Sequence, residues 1–370
     1  MRVVHVAPTA FGHGGLLGGG ERYPLELARA LAPHVDCELV TFDRRPSLDR
    51  EACGLRVRRL RHLGHLHGHP AHPVAAALPA AVRHADVVHV HHLRAHPSRV
   101  AGLTARILGH RAVVTDHGLG GGDWLGLLPR VFDAFLPVSA YSARQLGAPP
   151  HRTRVLLGGA DPARFAPRGD STRRGALFVG RLTPHKGVDR LIAALPQGQR
   201  LVVAGSGGHD PRPPERDYPA LLRELAAGRD VVFRGPVPDA DLPELYRSAS
   251  VFVLPSVERT CFGRRVEVSE LLGLAVIEAM ASGTPVVCTR IGGVPEVVED
   301  GVSGFLVPPG DVGALGDRLG ILLGDAALAR RMGERARARV LDGLTWGHCA
   351  ERCLDAYADV LGRSALPPRG

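Results

Sequence analysis

The chain has 370 residues, of which 45% are apolar and 5% aromatic, and carries a formal net charge of +9. That length exceeds what one compact core supports, so two domains are expected, and the apolar content excludes wholesale disorder. No apolar run reaches the roughly 20 residues of a membrane span, and the scarcity of aromatics, with no basic stripe among them, argues against a nucleic-acid partner.

The charge is unevenly placed. Residues 1–165 hold 20 Arg and no Lys against 12 acidic residues, whereas the remainder is nearly balanced. A basic half is compatible with an anionic partner, a membrane surface or a solvated face. The six cysteines (37, 53, 261, 288, 349, 353) form no CxxC pair and no metal spacing, which fits a reducing cytoplasm. The opening MRVVHVAPTAFGHGG has no apolar h-region and no cleavage site, so no signal peptide is expected.

In chain order, strand-like runs fall at 2–8, 37–42, 86–92, 112–118 and 134–140, with helical patterns at 21–31 and near 73–84 and 97–109. The plan then repeats. Strands are expected at 176–182, 200–207, 231–236, 251–256 and 285–290, and helices at about 188–195, 241–249, 274–282 and 311–323. Alternation of near-continuous apolar strands with helices predicts parallel sheets covered on both faces, once in each half. The polar stretch 158–175, rich in Gly, Pro and charge, reads as the linker, and a last amphipathic helix is expected from Trp346 to about Leu361. HLGHLHGHPAHP (62–73) has five histidines but no Cys or carboxylate in its spacing, and reads as an exposed loop.

Ligands of open parallel sheets bind beyond the carboxyl ends of the strands, so the residues after each strand are the ones to inspect. After the first strand, Gly18, Gly19 and Gly20 lead into a helix and offer bare backbone N–H groups to an anion, although the run is not GxGxxG. His117 ends a strand and can either meet a sugar hydroxyl or be a structural histidine. His89 and His91 read as structural.

In the second half, GRLTPHKGVDRL places Arg181 and Lys186 between a strand and a helix start, where two cations form a diphosphate clamp. Lys186 is the single lysine beside 45 arginines, which marks a position where a compact ammonium is needed. Turns at Gly205, Ser206, Gly207 and Gly208, and at Gly235, allow a ligand close to the backbone. In SELLGLAVIEAMASGTPVV, Gly273 leaves the N–H groups of Leu274 and Ala275 open to a phosphate at the helix start. Glu278, one turn inside an apolar helix, can accept both hydroxyls of a ribose, and Glu270 can accept hydroxyls of a sugar above the phosphates.

ALFVGRLTPHKGVDRLIAAL, the E-x7-E from Glu270 to Glu278 with EAMASGTPVV, and IGGVPEVVEDGVSGFLVPPGD (291–311) resemble the family 4 retaining glycosyltransferases. The resemblance implies the α/β GT-B fold, two Rossmann-like doubly wound domains facing across a cleft. It divides the chain into an acceptor domain (1–165), a nucleotide-sugar domain (166–345) and a final helix (346–370) crossing back. It further implies that Arg181 and Lys186 hold the donor diphosphate, Glu278 the ribose and Glu270 the transferred sugar. By the same resemblance Gly180, Gly205, Gly207, Gly235, Gly273, Leu274 and Ala275 line the donor, Gly19 and Gly20 approach its phosphates, and His117 contacts the sugar near the reacting carbon.

Such enzymes retain the anomeric configuration and need no metal, so no cofactor is expected beyond the nucleotide-sugar donor. Asp239–Asp241 would then not be a metal motif, and Asp241 could cap the following helix. Two departures stand out: the Arg-bearing insertion VERTCFGRRVEVS before Glu270, and GGAD (158–161) where the family often has an asparagine-glycine turn. The preferred function is transfer of a hexose-type sugar to a hydroxyl of a small soluble acceptor, such as a sugar, a cyclitol or a natural-product precursor. A membrane-lipid or polysaccharide acceptor, a nucleotide-sugar epimerase and a non-catalytic nucleotide-binding module are the alternatives.

Overall fold

The computed structural model describes residues 1–9, 18–118, 128–168, 173–207 and 214–362. Its contacts divide the chain into two units, Met1–Gly158 with Trp346–Gly370, and Gly159–Thr345. The boundary falls earlier than composition suggests because residues after Gly158 pack into the second unit. Phe165 is buried there, and the Arg337 guanidinium donates to the carbonyls of Phe165 and Pro162. Residues 10–17, 169–172, 363–370 and Gly208, included in the readings above, lie outside the described residues.

In the N-terminal unit the elements are β1 (Arg2–Val6), α1 (Gly19–Leu31), β2 (Asp36–Asp43), β3 (Ser47–Arg50), β4 (Arg56–Arg61), β5 (Gly64–His65), β6 (Pro73–Val74), α2 (Leu78–Val82), β7 (Val87–His91), α3 (His96–Ile107), β8 (Arg111–Thr115), β9 (Ala134–Phe135) and α4 (Ala140–Leu146). The second unit contains β10 (Ala176–Val179), α5 (Val188–Ala194), β11 (Leu201–Ala204), α6 (Tyr218–Leu225), β12 (Val231–Gly235), α7 (Leu242–Ser248), β13 (Val251–Leu254), α8 (Leu274–Ala281), β14 (Val286–Thr289), α9 (Val294–Val297), β15 (Gly304–Val307), α10 (Val312–Gly324) and α11 (Ala326–Leu341). The chain then returns to the first unit with α12 (Trp346–Val360).

Two main sheets result. The first runs β3-β4-β2-β1-β7-β8-β9, parallel except for the β3–β4 pair, and the second runs β12-β11-β10-β13-β14-β15, parallel throughout. Valines dominate the central strands because β-branched side chains pack well on a pleated surface buried on both faces. The strand order of the second sheet reverses between β10 and β13, and that of the first between β1 and β7. Such switch points open a crevice at the carboxyl ends of the strands. Among the described residues, no helix is long and apolar enough to cross a membrane.

Three local differences have physical causes. RVRRLR (56–61) forms β4, which was not anticipated: Arg56 and Arg58, with Arg2, converge on the carboxylate of Glu38, which is 1% exposed. Several other arginines of this half are also held in ion pairs, Arg29–Glu51 and Arg59–Asp49 among them. The strand expected over 134–140 shrinks to Ala134–Phe135, because Ser139 caps α4 and closes a capping box with Ser142. The basic α11 is a full helix, started by the Asp325 carboxylate accepting from the Leu328 amide.

Asp241 does not cap α7. Its backbone is already helical and its side chain makes no capping bond, while Asp239 pairs with Arg164 at 2.7 Å.

Candidate functional site

In the second unit, residues from the strand ends gather where the sheet order reverses. After β10 the chain makes a 3-10 turn, Pro184–Lys186, and Gly187 (φ 66°) reverses it into α5. A Cβ at Gly187 would run into the Pro255 carbonyl oxygen, so glycine is required by both conformation and space. The turn directs the Lys186 ammonium to Glu270, whose carboxylate it meets at 2.6 Å with both side chains largely buried. Arg181 is exposed and, among the described residues, forms no ion pair. The two cations therefore differ: Lys186 is held and Arg181 is free to reorient.

Three of the expected glycines form one backbone seam. The Gly180 amide donates to the Ala204 carbonyl at 3.0 Å and the Gly205 amide to the Gly235 carbonyl at 2.8 Å. Gly205 (φ 139°) lies so close to the Gly180 carbonyl that no Cβ fits. Leu182 bridges to Gly207, which is exposed.

Gly273 adopts φ 90° as the N-cap of α8, and no side chain caps the first turn beginning at Leu274 and Ala275. Positive backbone charge at that terminus is thus left for a ligand. Glu278 is only 5% exposed and accepts a hydrogen bond from the Tyr246 hydroxyl at 2.8 Å.

Sequence reasoning missed Tyr246, because its approach from α7 is a tertiary contact. It also missed two buried hydroxyls, Thr183 Oγ1 and Ser256 Oγ, which lack hydrogen-bond partners among the described residues. They flank the turn after β10 and the end of β13, and such orphan groups call for an explanation. The Arg-bearing insertion is an ordered hairpin: Arg259 and Arg265 bridge, Gly263 (φ 81°) turns it, and Arg264 pairs with Glu215.

In the N-terminal unit, Gly18 precedes α1 in extended conformation, and Gly19 and Gly20 form its first residues. A Cβ at Gly20 would meet the His92 ring and the Cβ of His117. His92 is buried with φ 68°, a conformation that costs a non-glycine residue about 1–2 kcal/mol. Its Nδ1 has no partner among the described residues. The ring of His117 lies 4.8 Å from that of His92 and 5.0 Å from that of Tyr23.

His117 Nε2 is 3.2 Å from His91 Nδ1, and His91 Nε2 is 3.0 Å from His5 Nδ1. His89 Nδ1 meets the Tyr357 hydroxyl at 2.6 Å, and its Nε2 meets Thr115 Oγ1 at 2.8 Å. Burial pushes all five of these histidines far below the usual imidazole range, His5 and His92 to about 3. The ring nitrogens of His5, His89 and His91 approach within 4.8 Å of one another, but hydrogen bonds within the cluster already occupy them. His89 and His91 are thus tied into the packing of this unit by hydrogen bonds at both ring nitrogens.

Two helix-covered sheets, of seven and six strands, each with a cluster of polar residues at its strand ends, define a doubly wound α/β architecture of two Rossmann-like units. Residues 161–339 match the profile "Glycosyl transferases group 1", and residues 17–164 match "Glycosyltransferase Family 4". The chain is 32% identical to the D-inositol 3-phosphate glycosyltransferase of Acidothermus cellulolyticus over 98% of this chain and 90% of that protein. It is 35% identical to the protein of the same name from Nocardia farcinica over 62% of this chain, and spans about half of that relative (53%).

Among solved structures, sucrose-phosphate synthase from Thermosynechococcus elongatus superposes with a TM-score of 0.73 (23% identity, 98% of this chain, 100% of that one). Anabaena Alr3699/HepE in complex with UDP gives 0.74 (19% identity, 97% and 100%). The fold is GT-B, and the chain belongs to glycosyltransferase family 4.

Proposed function

We propose that the protein transfers a hexose-type sugar from a nucleoside diphosphate sugar to a hydroxyl of a small soluble acceptor, with retention of anomeric configuration and without a metal ion. The observation that carries this reading is the Lys186–Glu270 pair at 2.6 Å, set at the β10/β13 switch point with the uncapped α8. A similar protein was solved with UDP, and relatives named as inositol-phosphate glycosyltransferases or maltose-1-phosphate synthases support a small polar acceptor.

In this reading, breaking the anomeric C–O bond places negative charge on the departing diphosphate. Lys186, Arg181 and the amides of Leu274 and Ala275 stabilise that charge. Glu270 accepts from hydroxyls of the transferred sugar and steers Lys186, whose three N–H donors can serve the carboxylate and a phosphate together. Glu278, oriented by Tyr246, takes the ribose hydroxyls, and the Gly180–Gly205–Gly235 seam lets the nucleoside approach the backbone. The family resemblance also assigns Gly19, Gly20 and His117 of the N-terminal unit to the donor. The acceptor attacks from the face the diphosphate leaves, and a diphosphate oxygen takes its proton.

Calorimetric titration of UDP, GDP and ADP in EDTA, on the wild type and Lys186→Ala, tests the assignment. Metal-independent binding of one nucleotide, lost in the variant, is expected. Equal binding by both proteins would remove the diphosphate from this site.

A further inference from the structure

The histidines of the N-terminal unit form more than a packed cluster. Their hydrogen bonds are continuous, from Thr115 through His89, Tyr357, His5 and His91 to His117. The longest link is Tyr357 Oη to His5 Nε2 at 3.4 Å. Four elements contribute: β1 and β7 lie side by side with His5 opposite His89, β8 supplies Thr115, and α12 delivers Tyr357.

A neutral imidazole has one N–H and one lone pair, so in an unbroken chain the choice at any ring dictates all the others. A break at Tyr357, whose hydroxyl could accept from both His89 and His5, would leave its proton to the thiol of Cys353, a weaker acceptor. It would also forgo the head-to-tail polarisation of the chain, so two unbroken arrangements remain. In one, Thr115 donates to His89, His89 to Tyr357, Tyr357 to His5, His5 to His91, and His91 Nδ1–H to His117 Nε2. In the other, every bond reverses, and the Thr115 hydroxyl must send its proton elsewhere. Thr115 is fully buried, and His89 is its one side-chain partner among the described residues. The reversed arrangement therefore strands a buried donor, and the first is favoured.

We infer that His5, His91, Tyr357 and Thr115 are positioning residues that lock His117 as the neutral Nδ1–H tautomer, making it a hydrogen-bond donor to a hydroxyl or ring oxygen of the transferred sugar. The inference rests on the reading of His117 as a sugar contact. Its consequence is specific: with Nε2 occupied by His91, His117 is not a general base. The groups facing the chain are consistent with a neutral array. Tyr23, Cys349 and Cys353 are un-ionised because burial raises them, His92 is neutral, and none of the described residues supplies a carboxylate to the rings.

Long-range 1H–15N correlation spectra of 15N-histidine-labelled protein test the relay directly, with the His117 signals assigned by their absence in His117→Gln. The expected result is a single Nδ1–H tautomer for His117 in the wild type. Thr115→Val removes the donor at the far end and is expected to give a mixture of both tautomers at His117, although the Thr115 hydroxyl itself bonds to His89 and not to that ring. A wild-type Nε2–H tautomer, or an unchanged His117 in Thr115→Val, would overturn the relay.

Turnover separates this from the sugar-contact reading. His91→Leu is expected to lower kcat by about ten- to a hundredfold with little change in donor KM. His91→Asn, whose amide places a donor where Nδ1 was, is expected to recover most of that loss. Correct tautomers with kcat untouched by His91→Leu would keep the relay but sink its link to the sugar. If Thr115→Val does not fold, Tyr357→Phe, which cuts the chain midway, gives the same spectroscopic test.

Discussion

Replacing either member of the Lys186–Glu270 pair should have opposite effects on nucleotide binding. The pair is 2.6 Å apart, with side chains 14% and 13% exposed. Lys186→Ala removes a charge-assisted bond to the diphosphate, worth about 1.5–3 kcal/mol, or roughly 10- to 150-fold in Kd. It also leaves a mostly buried carboxylate without its ammonium. A wholly buried pair broken this way loses about 3–5 kcal/mol, so with some solvent screening about 1–3 kcal/mol of stability should go.

Glu270→Gln keeps a hydrogen-bond acceptor of the same shape but removes the competing charge. Nucleoside diphosphate should then bind equally well, or up to about tenfold tighter, while turnover of the sugar nucleotide falls because an acceptor to the sugar is weakened. Calorimetry with the free nucleoside diphosphate, urea denaturation and steady-state rates on both variants and their double mutant read all three quantities. Weakening of nucleotide binding by Glu270→Gln as severe as that of Lys186→Ala would refute the reasoning, since Glu270 would then be supporting the diphosphate site rather than sharing its lysine.

Tyr246→Phe removes a hydroxyl donor from the buried Glu278. It should lower stability by about 1–3 kcal/mol, seen as a lower Tm, and weaken a ribonucleotide more than its 2′-deoxy counterpart, because the carboxylate loses its orientation toward ribose. Gly187→Ala forces a Cβ into the Pro255 carbonyl at φ 66°. A loss of about 2 kcal/mol or more is expected from strain and displacement, together with weaker nucleotide binding, whereas Gly228→Ala, where a Cβ meets open space, should bind nucleotide normally.

The buried histidines predict acid sensitivity. Their folded values lie below the ordinary value near 6.5, so the native state binds fewer protons than the unfolded one, and their contribution to stability is present above about pH 6.5. It is lost as pH falls from there toward their folded values, about 3 for His5 and His92. Urea unfolding between pH 7.5 and 5 should show uptake of more than one proton. His5→Phe should reduce that uptake.

Much of the fold was readable from the chain because both halves repeat apolar strands and amphipathic helices whose periods are local properties. Val87–His91, Ala176–Val179 and Val251–Leu254 announce buried parallel strands by composition alone. Lys186 and Glu278 were legible for a different reason: a single lysine among 45 arginines, and a carboxylate inside an apolar helix, are anomalies a core does not need. Strand β4 was hidden because its arginines look solvent-bound until Glu38 on the neighbouring strand neutralises them.

The partners of the anomalies belong to tertiary structure. That Lys186 meets Glu270, 84 positions away, that Tyr246 meets Glu278, and that His5, Tyr357 and Thr115 join into one proton-ordered chain follow from sheet order and helix docking, which bring distant positions together. Sequence by itself determined which residue types stand at the strand ends. Only the packed chain decided which of them share a hydrogen bond, because hydrogen bonds act over about 3 Å and chain order carries no such distances.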